Sequence, residues 1–88
     1  MLKYVRLPGN EIIIFPLKVG HIVFGNLKPV SAGFCEVSRH KPFVECYGAS
    51  DSLRLKADPQ KDSALATLQL FGTEPGKPDS EIQAEQPM

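Results

Sequence analysis

The sequence predicts an α+β domain: an antiparallel sheet of about five strands with two helices packed on one side, in the order β-β-α-β-β-β-α. Three observations carry that expectation. Short runs rich in β-branched and aromatic residues recur at 2–7, 11–15, 30–38 and 43–48, with turn residues between them. A helix start, Asp58-Pro59, opens a stretch of helical periodicity near the end. The chain has 88 residues, 42% of them hydrophobic, enough for one domain and no more.

Residues 2–7, Leu-Lys-Tyr-Val-Arg-Leu, read as the first strand, because Tyr4 and Val5 favour a pleated surface. Pro8-Gly9-Asn10 is turn chemistry, and Glu11-Ile12-Ile13-Ile14-Phe15 follows as the second strand. Three consecutive β-branched residues disfavour a helix there, and the unbroken apolar run predicts a strand covered on both faces. Further on, Val19, Ile22, Val23 and Leu27 recur near helical spacing, bracketed by Pro16 and Lys28-Pro29. A helix of about two turns is expected there, although Gly20 and Gly25 each cost about 1 kcal/mol relative to Ala.

Residues 30–38 and 43–48 form a second hairpin that turns at Arg39-His40-Lys41-Pro42. Its register follows from alternation. If opposed residue numbers sum to an odd number, Cys35 and Val37 share an apolar face with Val44 and Cys46; an even sum places Glu45 on that face instead. The odd register is expected, with Cys35 opposite or diagonal to Cys46, and with Phe34, Glu36, Glu45 and Tyr47 on the other face. After a turn at 48–51, Ser52-Leu53-Arg54-Leu55-Lys56 alternates as a half-exposed strand. Asp58 then supplies a helix N-cap, Pro59 suits the first helical position, and Gly72 fits just past the end. Ala64, Leu65, Leu68 and Phe71 are the expected inward stripe. From Thr73 the chain turns to Pro, Gly and charge, with only Ile82 and Met88 large and apolar. Residues 1–72 are therefore expected as a single domain and 73–88 as a flexible tail.

Ser31-Ala32-Gly33-Phe34-Cys35, the run from Val44 through Ser50, and Ser52-Leu53-Arg54-Leu55 together resemble a family of small uncharacterised bacterial proteins. The resemblance extends over most of residues 1–71, including the Ile-rich strand and the Asp58-Pro59 helix. It implies a short, stand-alone bacterial protein of the kind found among accessory or mobile genes. It brings no known activity and assigns no functional residue.

Ten basic and ten acidic residues leave a formal net charge of zero. Bulk attraction to nucleic acid or to a membrane needs a positive field, which this balance removes. No 18-residue apolar run is present, and Lys3 and Arg6 interrupt any signal-like stretch at the start. A cytoplasmic protein with free thiols is the expectation.

Cys35 and Cys46 lie outside any C-x-x-C motif, and His21 and His40 are the only histidines. Zinc needs four ligands, so two small buried hydrophobes are preferred over half a metal site or a cross-strand disulfide. No metal and no cofactor are expected. Nucleophilic cysteine chemistry lacks a base tied to either thiol. Glu36 and Glu45 would be neighbours on one sheet face, as an acid–base pair requires, but neutralisation by Arg54 and Lys56 is the plainer account. Arg39, His40 and Lys41 gather positive charge at one turn, and a meander of strands would add Arg54 and Lys56. With Tyr47 to stack bases, these six residues are the candidate binding site. No phosphate-loop, dinucleotide-binding, metalloprotease, nucleophile-elbow or calcium-loop pattern occurs, so no reaction and no catalytic residue are indicated. The expected function is a non-enzymatic protein-interaction module. A homodimer or protein partner would supply burial that so small a core lacks. The alternative is a nucleic-acid-binding accessory protein.

Overall fold

The computed structural model describes residues 1–72. β1 (Leu2–Arg6) and β2 (Ile12–Phe15) form the expected first hairpin. Asn10 closes it with φ at 70°, a left-handed conformation that Asn tolerates. Its amide donates to the Leu7 carbonyl, and the Leu7 amide donates to the Glu11 carbonyl, each at 2.8 Å. β3 (Ser31–Val37) and β4 (Val44–Tyr47) complete a sheet of order β2-β1-β3-β4, antiparallel throughout. The β3–β4 register is the odd one. Cys35 faces Cys46, Val37 faces Val44, and Glu36 faces Glu45.

The α+β class stands as predicted, with three differences inside it. The expected fifth strand does not join the sheet. Only Leu55–Lys56 (β6) is extended, and it pairs with Ala49–Ser50 (β5) in a separate two-stranded sheet. Arg54, at φ 55°, turns the chain within the expected strand, and its amide donates to the Asp51 carbonyl. The expected helix between residues 17 and 27 is a 3₁₀ helix, His21–Leu27, short as its bracketing prolines and internal glycine require.

The third difference is sidedness. α1 (Pro59–Phe71) packs on the face that carries Tyr4, Cys35, Val44 and Cys46. Phe24 of the 3₁₀ helix packs on the opposite face, against Val5, Phe15 and Ala32. The sheet is the middle layer, so β2 is covered on both faces, as its unbroken apolar run requires.

Asp58 caps α1 by accepting from the Lys61 amide, Pro59 opens it, and Gly72 ends it at φ 72° with its amide donating to the Leu68 carbonyl. The inward face departs from the expected stripe. Asp62, Ser63, Ala66 and Thr67 are buried, Ala64 and Leu65 are half-buried, and Leu68 and Phe71 are exposed. The tail expected over 73–88 lies outside the described residues.

Candidate functional site

Three of the inward polar residues of α1 face buried partners across the sheet or at its edge. Asp62, fully buried, accepts from Tyr4 Oη, from Arg6 Nε at 2.6 Å, from Ser31 Oγ at 2.8 Å and from the Asp58 amide at 2.9 Å. β1 and β3 present Tyr4, Arg6 and Ser31 on one face because residues two apart share a face. Burial raises the Asp62 carboxyl. Hydrogen bonds from Tyr4, the Asp58 amide, Ser31 and Arg6 outweigh that and hold it below its ordinary value. Burial, then Asp62 itself, drives the Tyr4 hydroxyl far above the ordinary tyrosine range. Chemically this is an ion pair with every buried polar side-chain atom satisfied. Its work is to fix α1 on the sheet.

Ser63, Thr67 and Gln69 serve the sheet edges. The outward amides of edge strand β4 donate to them: Val44 to Thr67 Oγ1 and Cys46 to Ser63 Oγ, both at 2.8 Å. On edge strand β2, Gln69 accepts from the Ile12 amide and donates to the Ile12 carbonyl. Beyond Ile12, only Ile14 turns its backbone groups outward before Pro16 ends the strand. Both edges are therefore blunted against pairing with another strand.

Exposed apolar surface lies elsewhere. His21 anchors the 3₁₀ helix: its ring is buried edge-on to Phe15 and Phe34, and Nε2–H donates to the Gly33 carbonyl at 2.8 Å. With His21 and Phe24 turned inward, Ile22 and Val23 are left 60% and 63% exposed, and Leu17, Leu27 and Val30 are also exposed. Lys18 and Lys28 flank this surface, and no acidic residue occurs from 12 to 35. A second apolar feature is an open groove of about 690 Å³ between α1 and β4, where Phe43, Cys46, Leu65 and Leu68 are joined by Glu45 and Gln60.

The six residues singled out from the sequence do not converge. Arg39, His40 and Lys41 are exposed on the turn that joins β3 and β4. Arg54 and Lys56 lie with β5 and β6, beyond the other end of β4, because the meander that would bring them alongside does not form. Lys41 Nζ sits 5.5 Å from the Phe43 ring centre. Tyr47 does share a face with Phe34, their rings 6.3 Å apart, but Glu36 and Glu45 share it too. Tyr47 Oη donates to Glu36 at 3.1 Å, and partial burial with these carboxylates pushes the hydroxyl up. A base-stacking platform flanked by two carboxylates repels phosphate.

The polar face of α1 was missed by sequence reasoning, although Asp62, Ala66 and Gln69 at helical spacing, with Ser63 and Thr67 alongside, were a visible signal. Among the described residues, no three His, Cys, Asp or Glu side chains gather to hold a metal ion, and no helix is long and apolar enough to cross a membrane. No family model, no curated protein and no solved structure matches the chain.

Proposed function

We propose that this chain is a non-enzymatic protein-interaction module that self-associates through the face of its 3₁₀ helix. The observation that carries this reading is the exposure of Leu17, Ile22, Val23, Leu27 and Val30 on one connecting segment. Exposed apolar clusters of this kind mark interaction surfaces. Capped edges on β2 and β4 direct association to a face, not to strand pairing. The surface lies across the sheet from α1, so the chain leaving α1 starts on the other side.

Light scattering at micromolar concentration is expected to give about twice the 9.7 kDa chain mass. Changing Ile22 and Val23 together to Asp is expected to weaken association at least about 100-fold, since two carboxylates would be buried unpaired. The far-UV circular dichroism should stay unchanged, because both residues are exposed in the single chain, and the melting temperature should fall only by what association contributes at that concentration. A monomeric wild type overturns self-association; a dimeric double variant overturns the assigned face.

One observation keeps nucleic-acid binding as a second reading. Of the ten acidic residues, Glu74, Asp79, Glu81 and Glu85 follow Gly72, against only Lys77 of the basic ones. Residues 1–72 thus hold nine basic and six acidic residues, a charge of +3. On this reading the wild type retards a single-stranded oligonucleotide at low salt, and Arg39→Glu, Lys41→Glu and Arg54→Glu together abolish the shift. We expect neither form to bind, because the basic residues are dispersed and the aromatic face is acidic. Micromolar binding at physiological salt, lost in the triple variant, would reverse the ranking.

A further inference from the structure

Cys35 on β3 and Cys46 on β4 are directly opposite each other, and both are buried and free. The hydrogen-bond phase of the hairpin fixes the kind of opposition. The Ser38 amide donates to the Phe43 carbonyl at 2.9 Å, making 38 and 43 a hydrogen-bonded pair. Stepping by two along the register, Glu36–Glu45 and Phe34–Tyr47 are hydrogen-bonded pairs as well. Cys35–Cys46 falls between them, at a non-hydrogen-bonded position. The outward amides of Val44 and Cys46, taken by Thr67 and Ser63, give the same phase independently. At such positions Cα atoms lie about 4.5 Å apart and side chains approach closely. That separation is inside the window of about 4.4–6.8 Å that a disulfide spans.

We propose that Cys35 and Cys46 are a redox-closable pair, joined by a cross-strand disulfide that leaves the strand register and the docking of α1 in place. The oxidant is a small disulfide such as oxidised glutathione. One cysteine thiolate attacks a sulfur of the oxidant and expels one glutathione thiolate. The second cysteine thiolate then attacks the protein sulfur of the mixed disulfide and expels the other. In the protein two S–H bonds are lost and one S–S bond forms; the oxidant's S–S bond breaks, and the two protons end on the two glutathione thiols.

Burial controls when this happens. It pushes the Cys35 thiol up to about 11 and the Cys46 thiol up to about 12, so hardly any thiolate is present in the folded protein at neutral pH. Ser63 and Thr67 also hold α1 against β4. Closure therefore belongs to the folding chain, before α1 docks, and the folded protein keeps whichever redox state it acquired then.

The test uses the full chain, unfolded in denaturant and refolded either in reductant or in a mixture of reduced and oxidised glutathione. The oxidised product is expected to lose about 2 Da, with one intramolecular bond mapped between Cys35 and Cys46. Its melting temperature should exceed that of the reduced chain by about 10 °C and fall back on reduction. Native protein given the same oxidant without denaturant should close at least about 100-fold more slowly. Two free thiols after oxidative refolding, only glutathione adducts or intermolecular bonds, or a closed form that melts below the reduced one would each overturn the pair. Equal closure rates with and without denaturant would overturn the assignment of closure to folding.

Discussion

Replacing Asp62 by alanine is expected to destabilise the fold by about 3–5 kcal/mol, the range for breaking a buried ion pair from one side. The change strands four donors at once, the Asp58 amide among them. Arg6 keeps a guanidinium whose side chain is only 10% exposed, while Tyr4 Oη and Ser31 Oγ lose their acceptor. A domain of this length has a total stability of the same order, so the variant should be largely unfolded at 25 °C or melt at least about 15 °C lower. Asp62→Asn keeps the volume and one carbonyl acceptor, and should fall between the two. An Asp62→Ala protein that melts within about 3 °C of wild type would remove the anchoring role assigned to this carboxylate.

The same group sets an acid limit on stability. Its folded pKa lies below the ordinary value of 3.8, so the unfolded chain binds the proton more readily. The contribution is complete above about pH 4 and is lost as pH falls through the lowered folded value. Acid unfolding below pH 4 should therefore flatten in Asp62→Asn, which has no carboxyl to protonate, relative to wild type. An unchanged acid slope would assign acid unfolding to other carboxylates.

Much of the scaffold was legible in local chemistry. Pro8-Gly9-Asn10 between two β-branched runs gave the first hairpin, and Asn10 indeed adopts the left-handed conformation such a turn requires. Alternation placed Cys35 against Cys46 because a one-residue slip would have buried Glu45. Asp58-Pro59 and Gly72 marked both ends of α1. The interior of that helix was illegible for a specific reason. Periodicity arguments assume that an inward helical face is apolar, whereas here Ser63, Thr67 and Gln69 face edge-strand backbone that needs partners. The sidedness of the two helical elements is written in β2, since a strand as apolar as Ile12–Phe15 needs cover on both faces. The candidate basic residues are dispersed by topology. Residues 48–57 fold back over β3 and carry Arg54 and Lys56 away from the Arg39–His40–Lys41 turn. Nothing local to those residues encodes that crossing; the signal is a glycine on another strand.

Gly33 is that residue, and Gly33→Ala is expected to cost about 3 kcal/mol, at the upper end for overpacking by one methyl group. A Cβ at Gly33 would lie 2.3 Å from the Tyr47 carbonyl oxygen and 3.3 Å from the Ala57 Cβ. The near atom is backbone at the end of β4, and no rotamer change can withdraw it. The far neighbour, Ala57, is tied down as well, since its amide donates to the Gly48 carbonyl at 2.9 Å. Relief must come from parting β3 from the chain that crosses it, or from shifting Gly33. The second route disturbs the other face, because the Gly33 carbonyl holds His21 and with it the 3₁₀ helix. Gly9→Ala is the matched control: it meets nothing within 4 Å and should cost under about 0.5 kcal/mol. Chemical denaturation of both variants separates the close approach from the general cost of replacing glycine. Gly33→Ala should lower the midpoint with little change in slope, and the amides of residues 47–57 should exchange faster than those of the β1–β2 hairpin. Equal midpoints for Gly33→Ala and Gly9→Ala would mean that the crossing over β3 is looser than these distances require.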